Sequence, residues 1–275
     1  MRPAIEGYAT RVLDAARLAP GMTLVDIGTG DGLIAFGAIE RIGASLKVIL
    51  TDISAAILAH TEQQAIARGV AGQCRFIQGS ADDLSAIPDN SVDVVMTRSV
   101  LAYVTDKRQA FREMLRILKP GARIALAEPV FRDDAVNVLA IKNWVDGHPD
   151  HEHARYMNLV HRWKSAQYPG TMEQIAASAL TNYTERDLFI MAGAAGFGQV
   201  HAELHLNATR RAIVPWEKYI ECSPHPLAPT LGEILQKDFS AEERQYFEQA
   251  MRPILEQGEL DGVERMVYLT AVKPV

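Results

Sequence analysis

The first chemical signal is a run of alternating glycines. Gly28-Thr29-Gly30-Asp31-Gly32 follows the strand candidate Leu24-Val25-Asp26-Ile27 and precedes a helical stretch, Ile34–Ile42. Glycine lets the backbone turn sharply and come close to a ligand. The N-terminus of the next helix offers unpaired N–H groups to an anionic group. Asp52, about 20 residues further on, ends a second apolar run, and a carboxylate there can accept both hydroxyls of a ribose. Three readings stand side by side: a ligand-free turn, a dinucleotide site, and a site for another nucleoside-bearing cofactor. The dinucleotide pattern needs a third glycine where Leu33 stands.

Groups able to move a proton come later in the chain. Tyr103 follows one strand candidate, and Glu128 ends another just before Pro129. Either could act as a general base or simply pack or cap. His148-Pro149-Asp150-His151-Glu152-His153 has a His-x-His spacing that would put two imidazoles on one side of an extended strand. No matching Asp/Glu constellation accompanies it, so no metal ligands are assigned. His148 and His161 are kept as substrate contacts. Trp144, Tyr156, Trp163, Tyr168, Tyr183 and Trp216 cluster in the same stretches, either lining an apolar acceptor pocket or gluing helices together.

The elements that must position these groups alternate. Strand candidates are Leu24–Ile27, Lys47–Asp52, Cys74–Ile77, Ser91–Met96 and Arg123–Glu128. Helical stretches between them include Ala55–Arg68, N-capped by Ser54, and Lys107–Leu118, stopped by Pro120-Gly121. That alternation predicts a parallel sheet covered on both faces. Residues 129–183 break the pattern. It returns as helix then strand at Thr184–Ala195 and Gln199–Leu206, and lapses again over 207–262. The chain closes on a strand, Arg265–Val272. The expected plan is one domain with its core at about 1–128, 184–206 and 263–275, and helical cap insertions at about 129–183 and 207–262. Phe239–Ile254 reads as an amphipathic helix that covers the site or forms a homodimer contact.

Composition narrows the class. With 275 residues the chain is long enough for a full core. A net charge of -6 argues against broad nucleic-acid binding, and 7% aromatics argue against stacking platforms for single strands. Two distant cysteines, the lack of an apolar leader and the lack of a membrane-length run point to a cytoplasmic protein.

Taken together the motifs resemble the class I S-adenosylmethionine-dependent methyltransferases, in particular the small-molecule group that includes ubiquinone-type enzymes. The residues that carry the resemblance are Val25–Gly32, Thr51-Asp52-Ile53-Ser54, Gln78–Leu84, Ser91–Val95, Ser99–Val104 and Leu118-Lys119-Pro120-Gly121, in family order. The closing Tyr268–Pro274 also looks like the family's last strand. The resemblance implies an α/β, Rossmann-like, seven-stranded and mostly parallel sheet with the last strand antiparallel. It implies S-adenosyl-L-methionine as cofactor and a small-molecule acceptor methylated on O, C or N, quinone-like or a secondary metabolite. The alternative is an S-adenosylmethionine-binding protein that does not methylate. By position, Asp26 would hold the glycine loop and approach the ligand's amino group. Gly28 and Gly30 would make room for the methionine moiety. Asp52 would bind the ribose hydroxyls and Ile53 would pack on adenine. The Ala81 N–H and the Asp82 side chain would reach the adenine edge, and the Arg98 carbonyl would face the methionine ammonium. Ser80 stands where the family often has Asp, which moves the adenine contact to Asp82.

Overall fold

The computed structural model describes residues 2–210, 213–258 and 261–275. Its strands are β1 (Thr23–Ile27), β2 (Lys47–Asp52), β3 (Cys74–Gln78), β4 (Val92–Arg98), β5 (Leu118–Pro129), β6 (Gly198–Arg210) and β7 (Asp261–Val272). Its helices are α1 (Arg2–Ala16), α2 (Leu33–Ile42), α3 (Ala55–Ala67), α4 (Lys107–Ile117), α5 (Arg132–Gly147), α6 (Ala154–Ser165), α7 (Met172–Ala177), α8 (Glu185–Ala195), α9 (Trp216–Tyr219), α10 (Leu231–Asp238) and α11 (Ala241–Glu256).

All seven strands form one sheet in the order β3-β2-β1-β4-β5-β7-β6. Neighbours from β3 to β5 are parallel, with Val25 opposite Ile49 and Val95. β7 runs antiparallel to β5, with Leu126 opposite Leu269. The order reverses between β1 and β4. In open α/β sheets, ligands bind beside the carboxyl ends of the strands at such a point.

The central strands read as near-continuous apolar runs because helices cover both faces. Leu24, Val48, Leu50, Val94, Met96 and Ala125 form a buried cluster with Ala9, Val12, Leu13 and Ala16 of α1 and Ile34, Phe36 and Ile39 of α2. The elements read from the sequence do not include α1, although the spacing 9, 12, 13, 16 marks one helical face.

By contact density the chain divides into two compact units. The first comprises 1–130, 183–205 and 266–275 and contains β1 to β5 with the helices between them. The second comprises 131–182 and 206–265. Its own core packs Leu159 and Trp163 of α6 with Trp216, Tyr219, Ile234, Phe247 and Met251. Its helices carry strong local starts: Thr230 and Ser240 each form a capping box with the Glu three residues on. No described helix is long and apolar enough to cross a membrane.

Candidate active site

The site candidate lies in the first unit, where β1, β2 and β4 end. Gly28, Gly30 and Gly32 all have left-handed backbone, with φ of 63°, 55° and 80°. A side chain at any of them would be strained. Surroundings separate the three. A Cβ on Gly28 would lie 2.4 Å from Val100 Cγ2, and one on Gly32 would strike the Phe36 ring, whereas one on Gly30 would meet nothing within 4 Å. The loop is therefore packed behind Gly28 and open in front of Gly30. Gly32 begins α2 and brings no side chain of its own to cap it.

Asp26 holds this loop from inside. It is 1% exposed. Its Oδ2 accepts the Thr29 hydroxyl at 2.8 Å and the Ala35 N–H at 3.2 Å. Burial pushes its pKa up to about 7, against the lowering by those hydrogen bonds.

Asp52 bridges two turns. Its Oδ2 accepts the Gly30 N–H at 3.2 Å, and its Oδ1 accepts the Ser54 N–H at 2.9 Å. Thr29 N–H donates to Thr51 O, and Gly79 N–H donates to Asp52 O. These bonds tie the turns after β1, β2 and β3 to one carboxyl edge. Ile53, the next residue, is 69% exposed although apolar. Ala81 is buried, Asp82 is partly buried, and Ser80 O accepts the Asp83 N–H.

At the end of β4 the backbone turns through Ser99, a non-glycine residue with φ of 57°. Glu128, 1% exposed at the end of β5, organises the backbone beyond that turn. Oε1 accepts the Thr97 hydroxyl at 2.5 Å, and Oε2 accepts the N–H groups of Val100 and Leu101, each at 2.9 Å. Burial pushes its pKa up to about 7 in spite of these bonds. The short 3₁₀ turn Leu101–Tyr103 thus has its open N–H groups satisfied by a carboxylate. The capping reading of Glu128 is the one this geometry favours over a base aimed into a cleft. Tyr103 is partly exposed, and burial together with Glu128 pushes its phenol up to about 12.

One neighbour lies outside the candidates read from the sequence. Lys107 opens α4 and is buried, with its Nζ donating to Val104 O at 3.0 Å and sitting 4.7 Å from the centre of the Tyr183 ring. Burial pushes its pKa down to about 8. The Tyr183 hydroxyl donates to Pro129 O. A lysine at the first position of a helix ordinarily faces water, and no local pattern in the sequence marks it as buried.

The sequence model of a family described as a methyltransferase domain matches residues 18–177. The chain belongs to this methyltransferase family. Among curated relatives it is 37% identical over 116 residues to the ubiquinone/menaquinone biosynthesis C-methyltransferase of Idiomarina loihiensis, spanning 42% of this chain and 46% of that protein. It is 41% identical over 108 residues to the corresponding protein of Azotobacter vinelandii, spanning 39% and 42%. The match thus spans less than half the length of these relatives. Among solved structures it is similar to the YcgJ protein of Bacillus subtilis, with a TM-score of 0.59, 15% identity and coverage of 98% and 99%. It is also similar to the [4+2]-cyclase SpnF, with a TM-score of 0.58, 19% identity and coverage of 99% and 83%. At such identities the structures show the fold.

The resemblance implies S-adenosylmethionine as cofactor, and the carboxyl edge fits it. The room in front of Gly30, a carboxylate at Asp52 and an exposed apolar side chain at Ile53 are the features a ribose and an adenine require.

The histidine candidates fall in the second unit. His148 ends α5, where its Nδ1 lies 2.9 Å from Trp144 O and its ring stacks on Trp144 with centroids 5.0 Å apart. His151 meets the same indole edge-on. His161 lies in α6, and burial together with Lys142 lowers its pKa. Trp163, Trp216 and Tyr156 belong to the core of that unit or pack on it, which favours the packing reading for these three.

Proposed function

We propose that the chain transfers the methyl group of S-adenosylmethionine to a small organic acceptor, with a quinone-like ring as the first class to test. The acceptor class is supported by the activity for which the curated relatives are named. The observation that carries the binding reading is Asp52, a carboxylate tied to the N–H groups of Gly30 and Ser54 beside the open face of the glycine loop.

The cofactor supplies an activated methyl group on a good leaving group, so the protein's task is alignment and exclusion of water. Asp52 would hold the ribose hydroxyls and Ile53 would cover adenine. Ala81 N–H and Asp82 would meet the adenine edge. Asp26 would hold the glycine loop through Thr29 and Ala35, and the Arg98 carbonyl would face the ammonium of the methionine part. Tyr103, a phenol that holds its proton at neutral pH, would donate a hydrogen bond to the acceptor. Glu128 would act by shaping the turn that carries Tyr103. His148 and His161 are proposed as acceptor contacts. The reaction is placed in the cytoplasm, where the free Cys74 and Cys222 stay reduced.

The test is calorimetric titration with S-adenosylmethionine and S-adenosylhomocysteine, followed by turnover with a panel of quinols and phenols. Loss of a charged hydrogen-bonding group is worth about 1.5–3 kcal/mol, so Asp52→Ala should weaken binding roughly 10- to 100-fold. Unchanged affinity would reject the site. Tight binding without S-adenosylhomocysteine formation would reject methyl transfer and favour a non-methylating use of the cofactor.

A further inference from the structure

The opposite edge of the sheet carries a second feature that the methyltransferase reading does not use. Where the strands begin, Ala16 and Arg17 at the end of α1, together with Met22, Asp93, Lys119 and Arg123, line a cavity of about 290 Å³ within the first unit. Small-molecule sites start at about 300 Å³, so the space suits a small metabolite.

Its charges are unusual. Lys119 Nζ donates to both oxygens of Asp93, at 2.8 and 2.9 Å, and the Thr23 N–H donates to Asp93 Oδ2 as well. That carboxylate is spent on its own neighbours. Arg17 and Arg123 are different: among the described residues neither has an acidic partner. Two positive charges are left over in the cavity.

Their placement follows from the fold. Arg123 lies within β5, opposite Val94 near the start of β4, on the face whose later residues Ala125 and Ala127 pack in the cluster with α1. That face carries Arg123 under the end of the helix. Arg17 has φ of 52°, the left-handed conformation that ends many helices and that usually falls to glycine or asparagine. Burial and the Arg17 guanidinium both lower the pKa of Arg123. Like charges held together without a counter-ion oppose folding. A bound anion between the two guanidiniums would offset that repulsion.

We infer that this cavity is a binding site for a phosphate monoester, held between the Arg17 and Arg123 guanidiniums. A phosphate monoester carries a charge of about −1.5 to −2 at pH 7, which matches the excess, and its oxygens suit the guanidinium fork. The site lies at the start of the parallel strands, away from the carboxyl edge, so occupancy would not displace the cofactor.

Titration of the full chain with glycerol 3-phosphate, followed by calorimetry, tests this. One saturable site is expected at pH 7.5, with affinity several-fold weaker at pH 5.5, where the probe loses charge. Arg17→Ala and Arg123→Ala should each weaken it at least tenfold, and Arg123→Lys less. Arg17 is exposed at a helix end, so its variant keeps the test open if Arg123→Ala fails to fold. Asp52→Ala should bind the probe normally. No saturable binding, affinity indifferent to both arginines, loss of binding in Asp52→Ala, or equal affinity for succinate would each overturn the assignment.

Discussion

Glu128 grips the backbone of Val100, with Oε2 2.9 Å and Oε1 3.2 Å from the same N–H. The Val100 side chain in turn fills the space beside Gly28. A residue at the end of β5 therefore sets how tightly the loop after β1 is backed, although 100 positions separate Gly28 from Glu128. In Glu128→Gln the amide nitrogen cannot accept from the Thr97 hydroxyl and the 100–101 N–H groups together. Leaving such groups unpaired costs about 1–3 kcal/mol. Urea denaturation should show that loss. Calorimetry should show weaker S-adenosylmethionine binding, although the residue is not placed in contact with the ligand.

Asp26 and Glu128 also govern pH dependence. Burial holds both near 7, above their usual values of 3.8 and 4.5. The folded chain therefore keeps protons that the unfolded chain has released. Their contribution to stability is greatest below pH of about 4 and is lost as pH rises through 7. Each contributes a slope of up to about 1.4 kcal/mol per pH unit inside that window. Melting of the wild type and of Asp26→Asn and Glu128→Gln from pH 5 to 8 should show the variants with flatter profiles. A wild-type advantage that grows with pH would contradict the assignment.

The glycines of the loop should not be equivalent. Gly28→Ala combines left-handed strain of about 1–2 kcal/mol with a clash against Val100, whereas Gly30→Ala carries the strain alone. Chemical denaturation should place Gly28→Ala below Gly30→Ala in stability. Adding Val100→Ala should recover part of the first loss and none of the second. Gly30→Ala should still lose cofactor affinity, because its new methyl group enters the open side.

In the second unit, Phe247 is fully buried and meets Trp163, Phe239 and Tyr156 at ring distances of 5.7 to 5.9 Å. Phe247→Ala should cost about 3–5 kcal/mol by removing a buried ring from a packed core. If that unit melts separately, calorimetric scanning should show one transition shift while that of the cofactor-bearing unit stays in place. An unchanged melt would mean that these aromatics are not a core.

Much of this protein is legible from local chemistry. Glycines at 28, 30 and 32 can only mean a left-handed turn or a close approach, and Ser54 next to a helical stretch predicts the cap it makes. Alternating apolar strands and helices suffice for the sheet, and the recognised motifs for its last antiparallel strand, because those signals repeat within a few residues. The tertiary structure decided how distant segments act on one another. Glu128 looks identical in sequence whether it faces a cleft or caps a turn, and only the meeting of β4 and β5 distinguishes the two. Lys107 reads as a surface residue until Val104 and Tyr183 enclose it. Arg17 and Arg123 are ordinary charges until the end of α1 meets β5 beside the start of β4. Burial, with the pKa changes and unpaired charges it causes, depends on contacts between residues far apart in the chain, which no local pattern records.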